Sequence, residues 1–186
     1  MEEQYIESSV KKRLVLAGLR ELEEHGVRDF SLRRAALAAQ VSCAAPYRHF
    51  KDKEELILAV ISYVAEDFEL LARQISEVFL ASPLECVIQL ATASLRFWAA
   101  NGNFRMAIMT GARSAESPLS GEMARFDAPI AAAVRALAED GGEQRAFAVL
   151  SLIYGAVDLV ASGRFPIETA LDCLRRELTR LLGIFV

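Results

Sequence analysis

Strand signals are almost missing from this sequence. No stretch alternates apolar and polar residues over several positions, and β-branched residues are scattered. Glycine and proline number only 10 and 5 in 186 residues, which excludes a collagen-like repeat, a low-complexity linker or a disordered tail. The three cysteines, Cys43, Cys86 and Cys173, are far apart and odd in number. They make neither a disulfide framework nor a Cys-x-x-Cys pair, and a reducing cytoplasm is the natural compartment. Histidine is scarcer still, with His25 and His49 alone. No Walker loop, dinucleotide glycine motif or metal-spaced Cys/His cluster accompanies them, so no enzyme activity, metal or cofactor is expected. A basic-then-apolar signal pattern is also lacking at Met1-Glu-Glu-Gln, and secretion is not expected.

Long hydrophobic runs are absent with one near exception. Residues 146–163 carry Asp158 as their only charge, and their length approaches the roughly 18 residues of a membrane span. Ser151, Ser162 and two glycines interrupt the run. It reads as a helix buried by protein rather than by lipid, so no membrane partner is expected.

What the chain does have is apolar material, at 53% of residues, enough for a sizeable core without metal or disulfide staples. Its length suits one domain or two small ones. The net charge of −4 hides an asymmetry. Residues 10–53 hold ten basic side chains against five acidic ones, while the rest of the chain is acidic. A basic N-terminal third joined to an acidic remainder implies two jobs in one chain.

Helical spacing runs throughout, and the fold class is all-α. The first helix spans Ile6 to His25 and stops at Gly26. Ser31 is the N-cap of a second helix over Leu32–Ala39. After Gln40-Val41, Ser42 caps a short helix from Cys43 to Phe50. Asp52 then opens a long helix, with Glu55 completing a capping box, and Leu56, Val60, Tyr63, Val64, Phe68 and Leu71 mark its buried stripe. Further helices cover Leu84–Ala100, Phe104–Gly111, Leu119–Glu139, Gln144–Gly163 and Ile167–Leu182. They are separated at Asn101-Gly-Asn103, Ser114 to Ser120, Asp140-Gly-Gly142 and Arg164-Phe-Pro166.

Two short helices joined by a tight turn, following a longer helix in a basic segment, describe a helix-turn-helix. Leu32, Ala35, Ala36 and Ala39 give the first short helix a small inner face, with Arg33 and Arg34 turned outward and Val41 as a plug at the turn. The second short helix is then aimed outward. Ser42 can bind a phosphate at its N-terminus. Cys43, Ala44 and Ala45 let the backbone approach base edges, and Tyr47, Arg48 and His49 supply reach. Arg48 suits guanine, Tyr47 and His49 suit phosphates, and Lys51 and Lys53 lie where a second phosphate row would be. Lys11, Lys12 and Arg13 form either an arm toward DNA or a wet helix face. Cys43 is read chiefly as a small spacer, though a redox role for a thiol near a helix N-terminus stays open.

The run Leu32-Arg-Arg-Ala-Ala-Leu-Ala-Ala-Gln-Val-Ser-Cys-Ala-Ala-Pro-Tyr-Arg-His-Phe-Lys-Asp-Lys-Glu-Glu-Leu56 resembles the DNA-binding domain of tetracycline-repressor (TetR) family regulators. The resemblance covers about residues 10–60 and is strongest at Val41-Ser42, Tyr47-x-x-Phe50 and Lys53-Glu54-x-Leu56. Gln40 stands where the family usually has Gly, which implies a non-Gly residue at positive φ. Pro46 falls inside the recognition helix and shortens it. Ala44 to Phe50 is also similar to a subset named for a Trp-His-Gly motif, although that tripeptide is absent here.

The resemblance implies a helix-turn-helix DNA-binding domain over residues 1–54 and a helical effector-binding and dimerisation domain over 55–186. It implies a homodimeric transcriptional regulator, a repressor released from a palindromic double-stranded operator by a small-molecule effector. DNA contacts are then expected from Ser31, Arg33, Ser42, Ala44, Ala45, Tyr47, Arg48, His49 and Lys53. Helices 144–163 and 167–182, more apolar than one small domain can cover, are the expected dimer seam. Phe97, Trp98, Phe104, Met109, Phe126 and Tyr154 are candidates for a pocket that would take an apolar or aromatic effector. Arg105 and Arg113 are candidate anchors for an anionic ligand, and Asp158 is buried and paired, at the seam, or ligand-facing. The competing reading is a helical adaptor that has lost specific DNA binding.

Overall fold

In the computed structural model of the chain, residues 2–111, 118–137 and 140–183 are described, the side chains of residues 2–8, 111, 118 and 120 excepted. Arg113, and most of the expected break from Ser114 to Ser120, lie outside the described residues, as does the expected helix end at Glu139. Among the described residues every regular element is a helix: α1 (Glu2–His25), α2 (Leu32–Ala38), α3 (Pro46–His49), α4 (Lys53–Val78), α5 (Pro83–Ala100), α6 (Gly102–Gly111), α7 (Pro118–Leu137), α8 (Gly142–Ala161) and α9 (Ile167–Gly183). The all-α fold is as the sequence implies.

The helix boundaries follow local chemistry. Gly26 ends α1 at φ 69°, and its N–H donates to the Leu22 carbonyl at 2.8 Å, an αL stop that a Cβ would strain. Ser31 caps α2 as expected, its hydroxyl accepting the Arg34 N–H at 3.4 Å. Asp52 accepts the Glu55 N–H at 2.9 Å before α4, while the Glu55 carboxylate turns back to the Lys51 N–H, one residue earlier than a regular capping box. Pro83 sits in the first turn of α5, where its missing N–H costs nothing.

The chain divides into two compact units, one of Met1–Glu66 with Asn103–Glu122, the other of Asp67–Gly102 with Met123–Val186. In the first, α1 packs on α2 and α3, and Leu14, Leu22, Phe30, Ala35, Ala36, Phe50, Leu56 and Ile61 are buried. Gly18 is the close-approach residue. A Cβ there would lie 3.0 Å from Val60 Cγ2 and 3.4 Å from Leu56 Cδ1, so glycine lets α1 meet α4. In the second, α5 packs on α8 and α9, and these two pack on each other. Leu90, Leu95, Trp98, Phe126, Ile130, Val149, Ile153, Leu174 and Leu178 are buried.

Three expectations are corrected. Leu71 does not belong to the buried stripe of α4; it is exposed, and the stripe runs through Ala65, Phe68 and Ala72 instead. Of the three readings of Asp158 the buried one falls: the side chain is exposed, with Arg164 as an ionic neighbour at 3.5 Å. The apolar helix α8 is not covered by its own chain. Only 22% of its most apolar window is buried, through Ala146, Val149, Ile153 and Val157, because one stripe of a helix is all that a single layer of neighbours can cover.

Candidate nucleic-acid interface

The buried carboxylate of Glu21 organises the helix-turn-helix. It stands seven residues after Leu14 on the inner face of α1 and is 6% exposed. It accepts the Ser31 N–H at 2.9 Å and a forked pair from Arg34, whose Nε lies 2.9 and 3.1 Å from its two oxygens. The second prong of Arg34 reaches both Glu21 and the Asp29 carbonyl. His25 Nδ1 lies 3.4 Å from Glu21, one turn along α1. Burial alone would push the Glu21 carboxyl up; the Arg34 and Ser31 hydrogen bonds and the charges of Arg34 and His25 outweigh it and hold the group below its ordinary value. Arg34 is therefore not turned away into solvent as expected. It ties the start of α2 to α1, and Arg33 alone projects outward. An acid on the same face as Leu14 was the available signal, since a carboxylate on an apolar face needs a partner.

The turn after α2 is a Schellman motif. The Val41 N–H donates to the Ala36 carbonyl and the Gln40 N–H to the Leu37 carbonyl, both at 3.0 Å. Gln40 occupies the left-handed position at φ 55°, as its place in the sequence implied, at a cost of about 1 kcal/mol for a residue with a Cβ. Val41 is only half-buried, so its contribution is this hydrogen bond more than a plug.

The recognition helix is shorter than expected. It covers Pro46–His49, and Ala45, not Ser42, stands at its N-cap. The cause is Pro46. In a helix starting at Cys43, the N–H of residue 46 would donate to the Ser42 carbonyl, and proline has none. The Ala45 N–H takes that carbonyl instead at 2.9 Å, closing a tight turn before the helix begins at the proline. Ser42, Cys43 and Ala44 are exposed on this turn and Ala45 is half-exposed. Tyr47 is 65% exposed and Arg48 is exposed, while His49 is half-buried. Pro46 and Phe50 anchor the segment from below. Lys11 lies over the Phe50 ring at 5.7 Å, so it belongs to α1 packing rather than to an arm. Lys53 donates to the Val27 carbonyl at 3.3 Å, which fixes its ammonium beside the α1–α2 connection. The structure thus places Ser31, Arg33, Ser42, Ala44, Ala45, Tyr47, Arg48, His49 and Lys53 in a single unit, with Arg33, Ser42, Ala44, Tyr47 and Arg48 open to solvent.

The aromatic candidates behave differently. Phe97, Trp98 and Phe126 join Phe68 in one packed cluster, with Trp98–Phe126 centroids 4.8 Å apart and Phe97–Phe126 stacked at 5.4 Å. Tyr154 donates to Asp127 Oδ1 at 2.6 Å; burial pushes both groups above their ordinary values. Phe104 is buried and Met109 part-exposed on α6, in the first unit. Phe97, Trp98, Phe126 and Tyr154 belong to the second unit and Phe104 and Met109 to the first. A recess of about 740 Å³ in the second unit is lined instead by residues including Ala72, Arg73, Ser76, Phe79, Pro129 and Ala133. Three alanines and a proline leave the α7 wall shallow, a signal that residue type alone does not separate from ordinary helix surface.

Residues 14–60 match the family described as bacterial regulatory proteins, tetR family. A comparison with curated protein sequences finds no match. Among solved structures, the chain is similar to a putative TetR-family transcriptional regulator from Mesorhizobium loti, at 15% identity and a TM-score of 0.79, covering 96% of this chain and 97% of that one. A TetR transcription regulator from Haloarcula marismortui is similar at 19% identity and a TM-score of 0.74, over 96% and 98% of the two chains. The multidrug binding protein EbrR, complexed with ethidium, is similar at 20% identity and a TM-score of 0.72, over 92% and 97%.

Proposed function

We propose that this chain, whose residues 14–60 match the tetR family of bacterial regulatory proteins, is a cytoplasmic, homodimeric transcriptional repressor released from a palindromic operator by a small molecule. The observation that carries the reading is the outward-facing α3, braced by Pro46 and Phe50 and flanked by Ser42, Arg33 and Lys53. Arg48 reads a base edge, with its guanidinium suited to guanine. Tyr47, His49, Ser31, Ser42, Arg33 and Lys53 bind phosphates and set register, and the methyl groups of Ala44 and Ala45 permit close approach. We assign the DNA-binding role to residues 1–54 and the effector and dimer roles to 55–186, with no catalytic step.

Dimerisation through α8 and α9 is supported by apolar side chains that the single chain leaves open. Phe147 is 75%, Leu152 37% and Phe165 48% exposed, beside a groove of about 340 Å³ between α8 and α9. A two-fold pairing of these helices makes a four-helix bundle and sets two recognition helices about 34–36 Å apart, one helical turn of DNA. The effector acts by binding the splayed state more tightly, and shifts the population only by that differential affinity. Its site is placed at the recess over Ala133, whose apolar walls suit an apolar or aromatic molecule.

The test is selection of bound sequences from a random duplex pool, with Arg48→Ala in parallel. The expected result is an enriched palindrome, with specificity relaxed at one base pair by Arg48→Ala and a loss of about 1–3 kcal/mol there. Binding that tracks salt alone, with no enrichment, favours the adaptor reading. The four-residue recognition helix is the feature that would fit that outcome.

A further inference from the structure

A cleft of about 170 Å³ opens between α1 and the end of α2, and no residue of α3 is among those that line it. Arg13 and Arg20 border it, with Leu16 and Ala17 between them on α1 and Ala38 and Gln40 facing them from the α2 turn. Both arginines are exposed, and neither forms an ion pair or side-chain hydrogen bond among the described residues. Glu21 is occupied by Arg34 and Ser31, and Glu24, one turn beyond Arg20, pairs with neither. Seven residues separate Arg13 from Arg20, about 10.5 Å along a helix axis, a distance two guanidinium arms close onto one group held between them. Small Ala17 keeps the space beneath that group open.

The third lining polar group is the most telling. Gln40 holds the left-handed conformation at φ 55°, where glycine would be unstrained. Gln40 lines the cleft, and its amide can donate to a group bound there. The turn needs the left-handed backbone but not the side chain, so a side chain carried there at a cost points to a role for it.

We propose that Arg13, Arg20 and Gln40 form a binding site for a phosphate group. The two guanidinia carry donors only, the Gln40 amide can add an N–H donor, and planar guanidinium suits phosphate oxygens in bidentate fashion. The phosphate comes either from the DNA backbone, extending the footprint beyond α3, or from a free phosphorylated molecule.

The experiment uses the full chain, with Arg13→Gln/Arg20→Gln and Gln40→Gly as variants. All three side chains are exposed, so both variants keep the core intact. Inorganic phosphate is titrated at constant ionic strength while the Arg Nε–H and Gln amide signals are followed by NMR. Binding to a random-sequence duplex is measured over a range of salt. Saturable shifts with phosphate that vanish in the double-arginine variant and weaken several-fold in Gln40→Gly are the expected result. If DNA supplies the phosphate, the double variant also lowers the salt slope of duplex binding by about 0.9. An unchanged slope with lost phosphate binding assigns the site to a free ligand, and a lowered slope without phosphate shifts assigns it to duplex alone. No difference between the wild-type and double-variant chains in either measurement overturns the proposal. Arg48→Ala is the control that separates this site from the regulatory reading: it relaxes sequence selection while leaving the phosphate shifts in place. A chain that bound no DNA would still be decided by the phosphate titration.

Discussion

Gly18 and Glu21, one turn apart on α1, illustrate two ways in which a single position holds the N-terminal unit together. Gly18 does so by having no side chain. Val60 is fully buried and β-branched, so it has no room to retreat from a Cβ placed 3.0 Å away. Gly18→Ala gains up to about 1 kcal/mol of helix propensity, and overpacking costs about 1–3 kcal/mol, so a net loss near 1 kcal/mol is expected. Pairing it with Val60→Ala should recover part of that loss, and a double-mutant cycle by denaturant unfolding measures the coupling. Glu21 acts through charge. Its carboxyl is held below the ordinary value of 4.5, so its stabilising contribution is complete above that pH and is lost as pH falls through the lower, folded value. Glu69 beside Arg125 and Glu85 beside Arg175 are lowered in the same sense. Glu21→Gln should therefore reduce stability near neutral pH while flattening only part of the acid limb, as read from unfolding midpoints across pH 2–7 at roughly unit steps. At this scale the sequence was informative where residue type dictates backbone: Gln40 at positive φ was visible from its place in the motif. The Glu21–Arg34 clamp was not, because a pairing across ten or more residues depends on which way two helices face.

At the scale of the element, the contrast is between α3 and α8. Proline decides the first. Pro46 removes one donor and makes the helix begin at itself, so Pro46→Ala should restore the N–H and extend α3 toward Ser42. Backbone chemical shifts of residues 43–46 would move toward helical values; shifts that stay put would mean that packing, not the missing donor, sets the start. The existence of α2, α3 and α4 was legible from Ser31, Ser42 and Asp52, whereas the start of α3 was misplaced because Ser42 is a good cap whose helix never reaches it. For α8 the apolar run gave the helix but not its surroundings. Composition cannot distinguish a helix covered by its own chain from one left open, since both are apolar on most of their circumference. The aromatic residues of the second unit mark packed core for a related reason. Large rings fill space well, and Phe97, Trp98 and Phe126 fill it with one another, while the recess is bounded by residues too small to close it.

For the whole molecule, the open faces of α8 and α9 bear on assembly. Phe147→Glu puts a charge on the most exposed ring of α8, and the expected outcome is a monomer by sedimentation with intact helical content. Operator affinity should fall at least a hundredfold, since each half-site is then bound singly. A dimer that persists with Phe147→Glu would move the interface elsewhere. The contrast between a basic N-terminal segment and an acidic remainder was visible in the sequence. The way the chain is shared between units was not, because nothing in composition marks Glu66 or Asn103 as a crossing point.

That sharing has a consequence for how the protein is made. The unit that carries α1, α2 and α3 also includes Asn103–Glu122, and Asn103 Nδ2 donates to the Glu23 carbonyl at 2.6 Å near the end of α1. A ribosome that has released only the first sixty-odd residues has therefore not delivered the parts of the unit it began. The helix-turn-helix emerges first and must wait through α5 for its last segment, so its completion is timed by the synthesis of the chain that follows it.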